Sequence, residues 1–218
     1  MSPAFAAPPP LFYPSSHLPR SVTARRSSRI SMSTPARRVL VAIGNGSEEI
    51  ETACVVDTLR RAGADVTLAS VEPSVSVTMS RGMVFQADHT VSSLSPPFDA
   101  VALPGGMPGA QRLADSAHLA KLVTHTRDNG KVVGAICAAP AVVLAGQGVL
   151  DGKNATCYPA PAFRDKIPNV AEGDVVRDGQ LITATGPGTA LKWSLEIVEA
   201  LYDKAMADKL AGEMLAPR

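Results

Sequence analysis

The chain has 218 residues, 45% hydrophobic and 19% charged, enough apolar material for one compact domain plus a tail. No apolar run approaches the ~18 residues of a membrane-spanning helix, so a transmembrane protein is not expected. The net charge of +1 conceals an asymmetry: Arg20, Arg25, Arg26, Arg29, Arg37 and Arg38 all precede the first acid, Glu48, and without these six the rest would carry about −5, a mildly acidic body that argues against nucleic-acid binding.

Residues 1–36 are rich in Ser, Pro, Ala and Arg, contain no acid, and lack the contiguous apolar segment of a secretory signal. That composition marks an organelle transit peptide, bound for a chloroplast or mitochondrion, with a plain disordered tail as the alternative; Met32 offers a start for a shorter cytosolic form. The folded domain is expected over residues 37–218. Its cysteines, Cys54, Cys137 and Cys157, form no Cys-x-x-Cys pair and no His/Cys cluster, so neither a disulfide framework nor a structural zinc site is expected, and a reducing compartment fits.

From residue 38 strand and helix patterns alternate. Residues 38–44 (RVLVAIG) are a continuous apolar run, as in a strand buried on both faces. Residues 48–62 read as a helix stopped by Gly63, and 65–71 as the next strand. VSVTM and MVFQA flank Ser80-Arg81-Gly82 as a short hairpin-like pair, and residues 98–106 (FDAVALPGG) run from a strand into glycines. Residues 111–129 are predicted as one long helix, with Leu119, Leu122, Val123 and Thr126 on a stripe and Asn129-Gly130 as its stop. KVVGAIC is a strand and the alanine-rich run after it a helix; residues 154–159 and 180–186 are strands. A last helix from Thr189 carries Leu191, Ser194, Leu195, Val198 and Leu201 on one stripe, with helical pattern to about Met214. Repeating β–α units with buried parallel strands predict a doubly wound sheet with helices on both faces, and ligands in such folds bind beyond the carboxyl ends of strands.

Three stretches are candidates for chemistry. In Ala135-Ile136-Cys137-Ala138-Ala139 small residues flank a cysteine at a strand-to-helix joint, as a nucleophile on a tight turn requires. A helix N-terminus after it would lower the thiol pKa, and Pro140 suits a first helical turn; the other reading is an inert core cysteine. In Leu103-Pro104-Gly105-Gly106-Met107-Pro108-Gly109-Ala110, consecutive glycines expose N–H groups that with the N–H of Ala138 would form an oxyanion hole, or simply make a turn. In Gly46-Ser47-Glu48-Glu49-Ile50-Glu51, most of the carboxylates are expected to be solvated and to complement the helix dipole, whereas Glu51, near Cys54 and Val55, is placed to face the sheet and keep its proton. Gly44-Asn45-Gly46 lacks the third glycine of a dinucleotide fingerprint, Gly186-Pro187-Gly188-Thr189 is read as a turn capping the last helix, and His89, His118 and His125 look like loop or helix-surface residues.

Together GSEEIE (46–51), LRRAGADVTLAS (59–70), LPGGMPGAQ (103–111), GAICAAP (134–140), ATCYP (155–159) and GPGT (186–189) resemble the ThiJ/PfpI superfamily, in its DJ-one branch of Parkinson-associated protein deglycases. The resemblance implies a flavodoxin-like three-layer α/β sandwich, a homodimer, and a cofactor-free enzyme. It implies Cys137 as nucleophile, Glu51 as the protonated glutamate bonded to it, Gly106 and Ala138 as oxyanion-hole donors, and Gly105, Tyr158 and Pro187 at the pocket. Arg81 matches a family arginine that reaches the pocket through the dimer. Many family members carry a histidine where Tyr158 stands; tyrosine, with an ordinary pKa near ~10, is a poor base at neutral pH, which moves proton transfer onto Glu51. Ala138 replaces the histidine of the protease branch, which disfavours proteolysis.

The expected activity is glutathione-independent conversion of methylglyoxal to lactate, with hydrolysis of early glyoxal adducts on proteins or thiols through the same thiol. The alternative is an oxidative-stress sensor or chaperone in which oxidation of Cys137 controls partner binding.

Overall fold

A computed structural model describes residues 36–217. The transit-peptide reading of residues 1–36 therefore falls, but for its last residue, outside the described residues. The elements in chain order are β1 (Arg38–Ile43), α1 (Glu49–Arg61), β2 (Asp65–Ser70), β3 (Ser76–Thr78), β4 (Val84–Gln86), β5 (His89–Thr90), β6 (Ala100–Leu103), α2 (Gly109–Asp115), α3 (Ala117–Asp128) and β7 (Val132–Ile136). A π-helical turn (Pro140–Leu144) follows, then β8 (Asn154–Ala155), α4 (Pro161–Arg164), β9 (Asn169–Val170), β10 (Val175–Asp178), β11 (Leu181–Ala184), α5 (Ala190–Leu201) and α6 (Lys204–Glu213). Among the described residues the main sheet has seven strands in the order β10-β11-β7-β6-β1-β2-β5. All neighbours are parallel except β10, which pairs antiparallel with β11.

Strand alternation sorts the core into two layers. Val39, Val41 and Ile43 of β1, Ala100 and Ala102 of β6, and Val132 and Ile136 of β7 pack with Val55 and Leu59 of α1 and with Trp193, Ile197 and Leu201 of α5. Leu40, Ala42, Val101, Leu103, Val133 and Ala135 point to the other face, against Leu113 of α2 and Leu119, Leu122 and Val123 of α3. Both faces are buried, which is why these strands read as unbroken apolar runs. Gly134 lets α5 approach: a Cβ there would stand 2.8 Å from Ile197 Cδ1 and 3.1 Å from Trp193 Cζ2. The Trp193 indole N–H, fully buried, donates to the Ile182 carbonyl at 3.1 Å. The result is the flavodoxin-like three-layer α/β sandwich.

Several elements differ from their sequence reading. The helix expected over residues 111–129 is two helices, because Ser116 turns extended and its side chain accepts the Leu119 N–H at 3.3 Å, capping α3. The last helix breaks at Tyr202, and Asp203 recaps α6 by accepting from Met206 N at 2.8 Å. The alanine-rich run forms a π-helical and then a 3₁₀ turn rather than an α-helix. Residues 154–159 contribute only the two residues of β8 to a strand.

Candidate active site

The strand order reverses at β1: the chain moves to β2 on one side and to β6 and β7 on the other. The loops leaving the carboxyl ends of β1, β6 and β7 therefore converge, as expected at a topological switch point. They carry, respectively, Glu48 to Glu51, Gly105-Gly106, and Cys137-Ala138.

Cys137 follows β7 directly and has φ +62°, a left-handed conformation that a non-glycine residue adopts at a cost of roughly 1–2 kcal/mol. Its backbone is held from both sides: its N–H donates to the Ala184 carbonyl at 2.9 Å, and its carbonyl accepts from Tyr158 N at 2.8 Å. Gly105 has to be glycine because a Cβ would stand 2.7 Å from Cys137 Cβ and 2.9 Å from Ala138 N. Gly106 has φ +83°, and a Cβ there would lie 2.5 Å from the Gly46 carbonyl oxygen and 2.7 Å from Glu48 N, both backbone atoms. Gly106→Ala is accordingly expected to cost ~3 kcal/mol or more from the left-handed backbone and the backbone clash together. Thermal unfolding checks this: a Tm within about 2 °C of wild type would mean the three loops are not packed this tightly.

Beneath the cysteine lies Glu51, fully buried. Glu48 caps α1, its Oε2 accepting from Glu51 N at 2.8 Å, and this fixes the first turn so that Glu51 points under the sheet ends. Glu51 Oε2 accepts the Gly105 N–H at 2.7 Å. Its other oxygen, Oε1, is buried and receives no donor of regular hydrogen-bond geometry among the described residues, while the carboxyl lies close enough to interact with the Cys137 thiol. Burial raises the Glu51 carboxyl from 4.5 to about 7, the Gly105 N–H works against this, and the neighbouring charge of Glu48 adds to it.

The thiol behaves differently from the sequence expectation. Burial first, and then the charge of Glu51, push Cys137 up to about 12, against the opposing pull of the Gly106 and Ala138 N–H groups. The helix that was to lower it is a five-residue π turn in a buried setting. Each group figures in the other's shift, so the proton on the thiol and the proton on the carboxyl depend on one another.

A cavity of about 460 Å³ opens above the sulfur. It is lined by Cys137, Ala138 and Gly106, by the polar side chains of Glu48, Ser80 and Arg81, and by Met107, Tyr158, Phe163 and Pro187. Of the residues picked from sequence, Glu51 and Gly105 lie behind the lining and act through Cys137 and the backbone. Arg81 lines the cavity within its own chain. Glu48 and Glu49, expected in solvent, are both largely buried. Glu49 accepts from Ser80 Oγ at 2.7 Å and from the Arg81 N–H, tying the β3–β4 hairpin to α1; burial works to raise this carboxyl, but these bonds together with the backbone N–H groups of Glu49 itself and Met83 hold it below the ordinary value. Sequence reasoning missed Glu48, Ser80, Met107 and Phe163 as cavity residues: Ser80 and Met107 adjoin chosen ones and Glu48 lies one turn before Glu51, but nothing in the pattern brings Phe163 of α4 to the site. His89, His118 and His125 do not line the cavity, and His118 Nε2 is paired with the Leu94 carbonyl at 2.9 Å.

The DJ-1/PfpI family profile matches residues 37–200, which span the sheet and every loop of the site. The chain belongs to the DJ-1/PfpI family. Among similar DJ-1 proteins, "Protein DJ-1 homolog B" of Arabidopsis thaliana is 40% identical over 197 residues, covering 88% of this chain and 44% of that protein. The chain thus spans about half the length of the two Arabidopsis relatives it matches. "Protein dj-1beta" of Drosophila melanogaster is 37% identical, over 83% of this chain and 97% of its own length. "Glutathione-independent glyoxalase DJR-1.2" of Caenorhabditis elegans is 34% identical, over 71% of this chain and 83% of that protein. The structure "Toxoplasma gondii DJ-1, oxidized" superposes with a TM-score of 0.81 at 43% identity, covering 84% of this chain and all of that one. Within the described residues of this DJ-1/PfpI chain, no helix is long and apolar enough to cross a membrane.

Proposed function

We propose that this protein is a glutathione-independent glyoxalase acting on small α-oxoaldehydes such as methylglyoxal. The observation that carries this reading is a strained cysteine at the floor of an open cavity, set over a buried carboxyl with one unpaired oxygen. The glyoxalase named among the relatives supports it.

The thiol and carboxyl supply the steps in sequence. Titrating at about 7, Glu51 is present in both protonation states at neutral pH. Its carboxylate takes the Cys137 proton as sulfur bonds to the aldehyde carbon, which overcomes a thiol that would not ionise alone. The N–H groups of Gly106 and Ala138 hold the resulting oxyanion, which Glu51 then protonates to give the hemithioacetal. Glu51 next removes the C–H proton of that carbon. The electron pair moves to the neighbouring carbonyl, giving an enediolate, and the same proton is returned to the second carbon while the hydroxyl proton of the first passes to the oxygen of the second. The first carbon is oxidised to a thioester and the second reduced to an alcohol, with no external redox partner. Water then attacks the thioester, and lactate leaves as the thiol regains its proton. Hydrolysis of early glyoxal adducts on proteins would start from the same thiol.

Purified full-length protein is expected to form lactate from methylglyoxal without glutathione or added metal, and to sediment at twice its chain mass as a homodimer. Absence of lactate under these conditions would overturn the reading. Oxidation sensing by Cys137 is the alternative; mass spectrometry after mild peroxide that finds added oxygen on Cys54 or Cys157 but not on Cys137 would remove it.

A further inference from the structure

The cavity is much larger than methylglyoxal. At the ~30 Å³ a water occupies in the liquid, 460 Å³ has room for about fifteen waters, whereas methylglyoxal has five heavy atoms. Its lining is chemically mixed: Glu48, Ser80 and Arg81 are polar, whereas Met107, Tyr158, Phe163 and Pro187 present sulfur, two rings and a pyrrolidine.

Two of the apolar lining residues are held in place by contacts of their own. The rings of Tyr158 and Phe163 meet edge-to-face, with centroids 6.1 Å apart and planes at 87°. Phe163 rests on the core layer of α2 and α3, and Tyr158 is tied through its N–H to the carbonyl of Cys137 at 2.8 Å. The aromatic pair is thus fixed in register with the nucleophile by one hydrogen bond. Tyr158 remains 44% exposed and Met107 50%, unusual exposure for large apolar side chains at the mouth of a cavity. Aromatic rings and a flexible thioether are well suited to an aryl group.

We propose that Tyr158, Phe163 and Met107 form a specificity subsite for the substituent of the α-oxoaldehyde, and that it favours aryl substituents, as in phenylglyoxal, over the methyl of methylglyoxal. The proposal rests on the glyoxalase reading and deepens it. The chemistry is unchanged: the aldehyde end lies over Cys137, the ring replaces the methyl group against the apolar lining, and the product is a 2-hydroxy-2-aryl acid.

The test is the ratio of kcat/KM for phenylglyoxal to that for methylglyoxal, measured in wild type, Phe163→Ala and Met107→Ala. Comparing this ratio between variants cancels the difference in intrinsic reactivity of the two aldehydes. Wild type is expected to favour phenylglyoxal, and each variant to lower the ratio by about tenfold, chiefly through KM for phenylglyoxal. Because Met107 is half exposed, its truncation keeps the test sound if Phe163→Ala folds poorly. Ratios unchanged within twofold in Met107→Ala, or a wild type that prefers methylglyoxal, would overturn the subsite while leaving the glyoxalase reading standing. Turnover of neither aldehyde would overturn both.

Discussion

Cys137→Ala is expected to reduce lactate formation from methylglyoxal by on the order of 10³-fold or more, as loss of a covalent nucleophile generally does. Cys137 alone of the three cysteines lines the cavity: Cys157 is 2% exposed and Cys54 sits on α1. Truncation to alanine keeps the Cβ, so the left-handed backbone at φ +62° and its two flanking hydrogen bonds should survive. The stability change is therefore expected to stay within about 1 kcal/mol, small for a buried site. Activity and stability must separate in this variant. A Cys137→Ala protein that still turns over methylglyoxal at more than about a tenth of the wild-type rate would remove the cysteine from the mechanism.

Glu51→Gln is expected to lower kcat by about 10²–10⁴-fold, since glutamine can neither take the thiol proton nor carry one between the two carbons. The same change should stabilise the fold, by an amount that grows as pH rises from 4.5 through about 7. Glu51 is raised from 4.5 to about 7, so in the native state it holds its proton over a range where the unfolded chain has lost it. Between those values the native state binds more protons, and stability falls as pH rises through about 7. The ionised carboxyl then costs the fold on the order of 3 kcal/mol. Glutamine keeps an acceptor for the Gly105 N–H and carries no charge to bury. At pH 8.5 the variant should melt several degrees above wild type, at roughly 2–4 °C per kcal/mol, and at pH 5 the two should nearly coincide. Equal differences at both pH values would show that Glu51 is not held neutral by burial.

Much of this architecture was legible in the sequence for a simple reason. Strands buried on both faces leave continuous apolar runs, and β1, β6 and β7 were found that way. The joint after β7 was legible because a strained elbow demands small neighbours, and Ala135, Ala138 and Ala139 leave that mark. Helix continuity was not. Ser116 and Asp203 interrupt apolar stripes that run on past them, since a side-chain cap can restart a helix within a periodic pattern.

The sequence by itself determined the sheet, the position of Cys137 at the end of β7, and the family to which the chain belongs, because local volume, periodicity and glycine placement are written residue by residue. Only the tertiary structure decided the chemical state of the site. Charge is set by how much water the fold removes and by which groups are brought face to face: the inward Glu51 was legible from its place on the helix, but the burial of Glu48 and Glu49 and the upward push on the Cys137 thiol were not. Phe163 is the same lesson in packing: a residue 26 positions beyond the nucleophile joins the cavity because the chain between β8 and β9 folds back over the elbow, a contact no local pattern encodes.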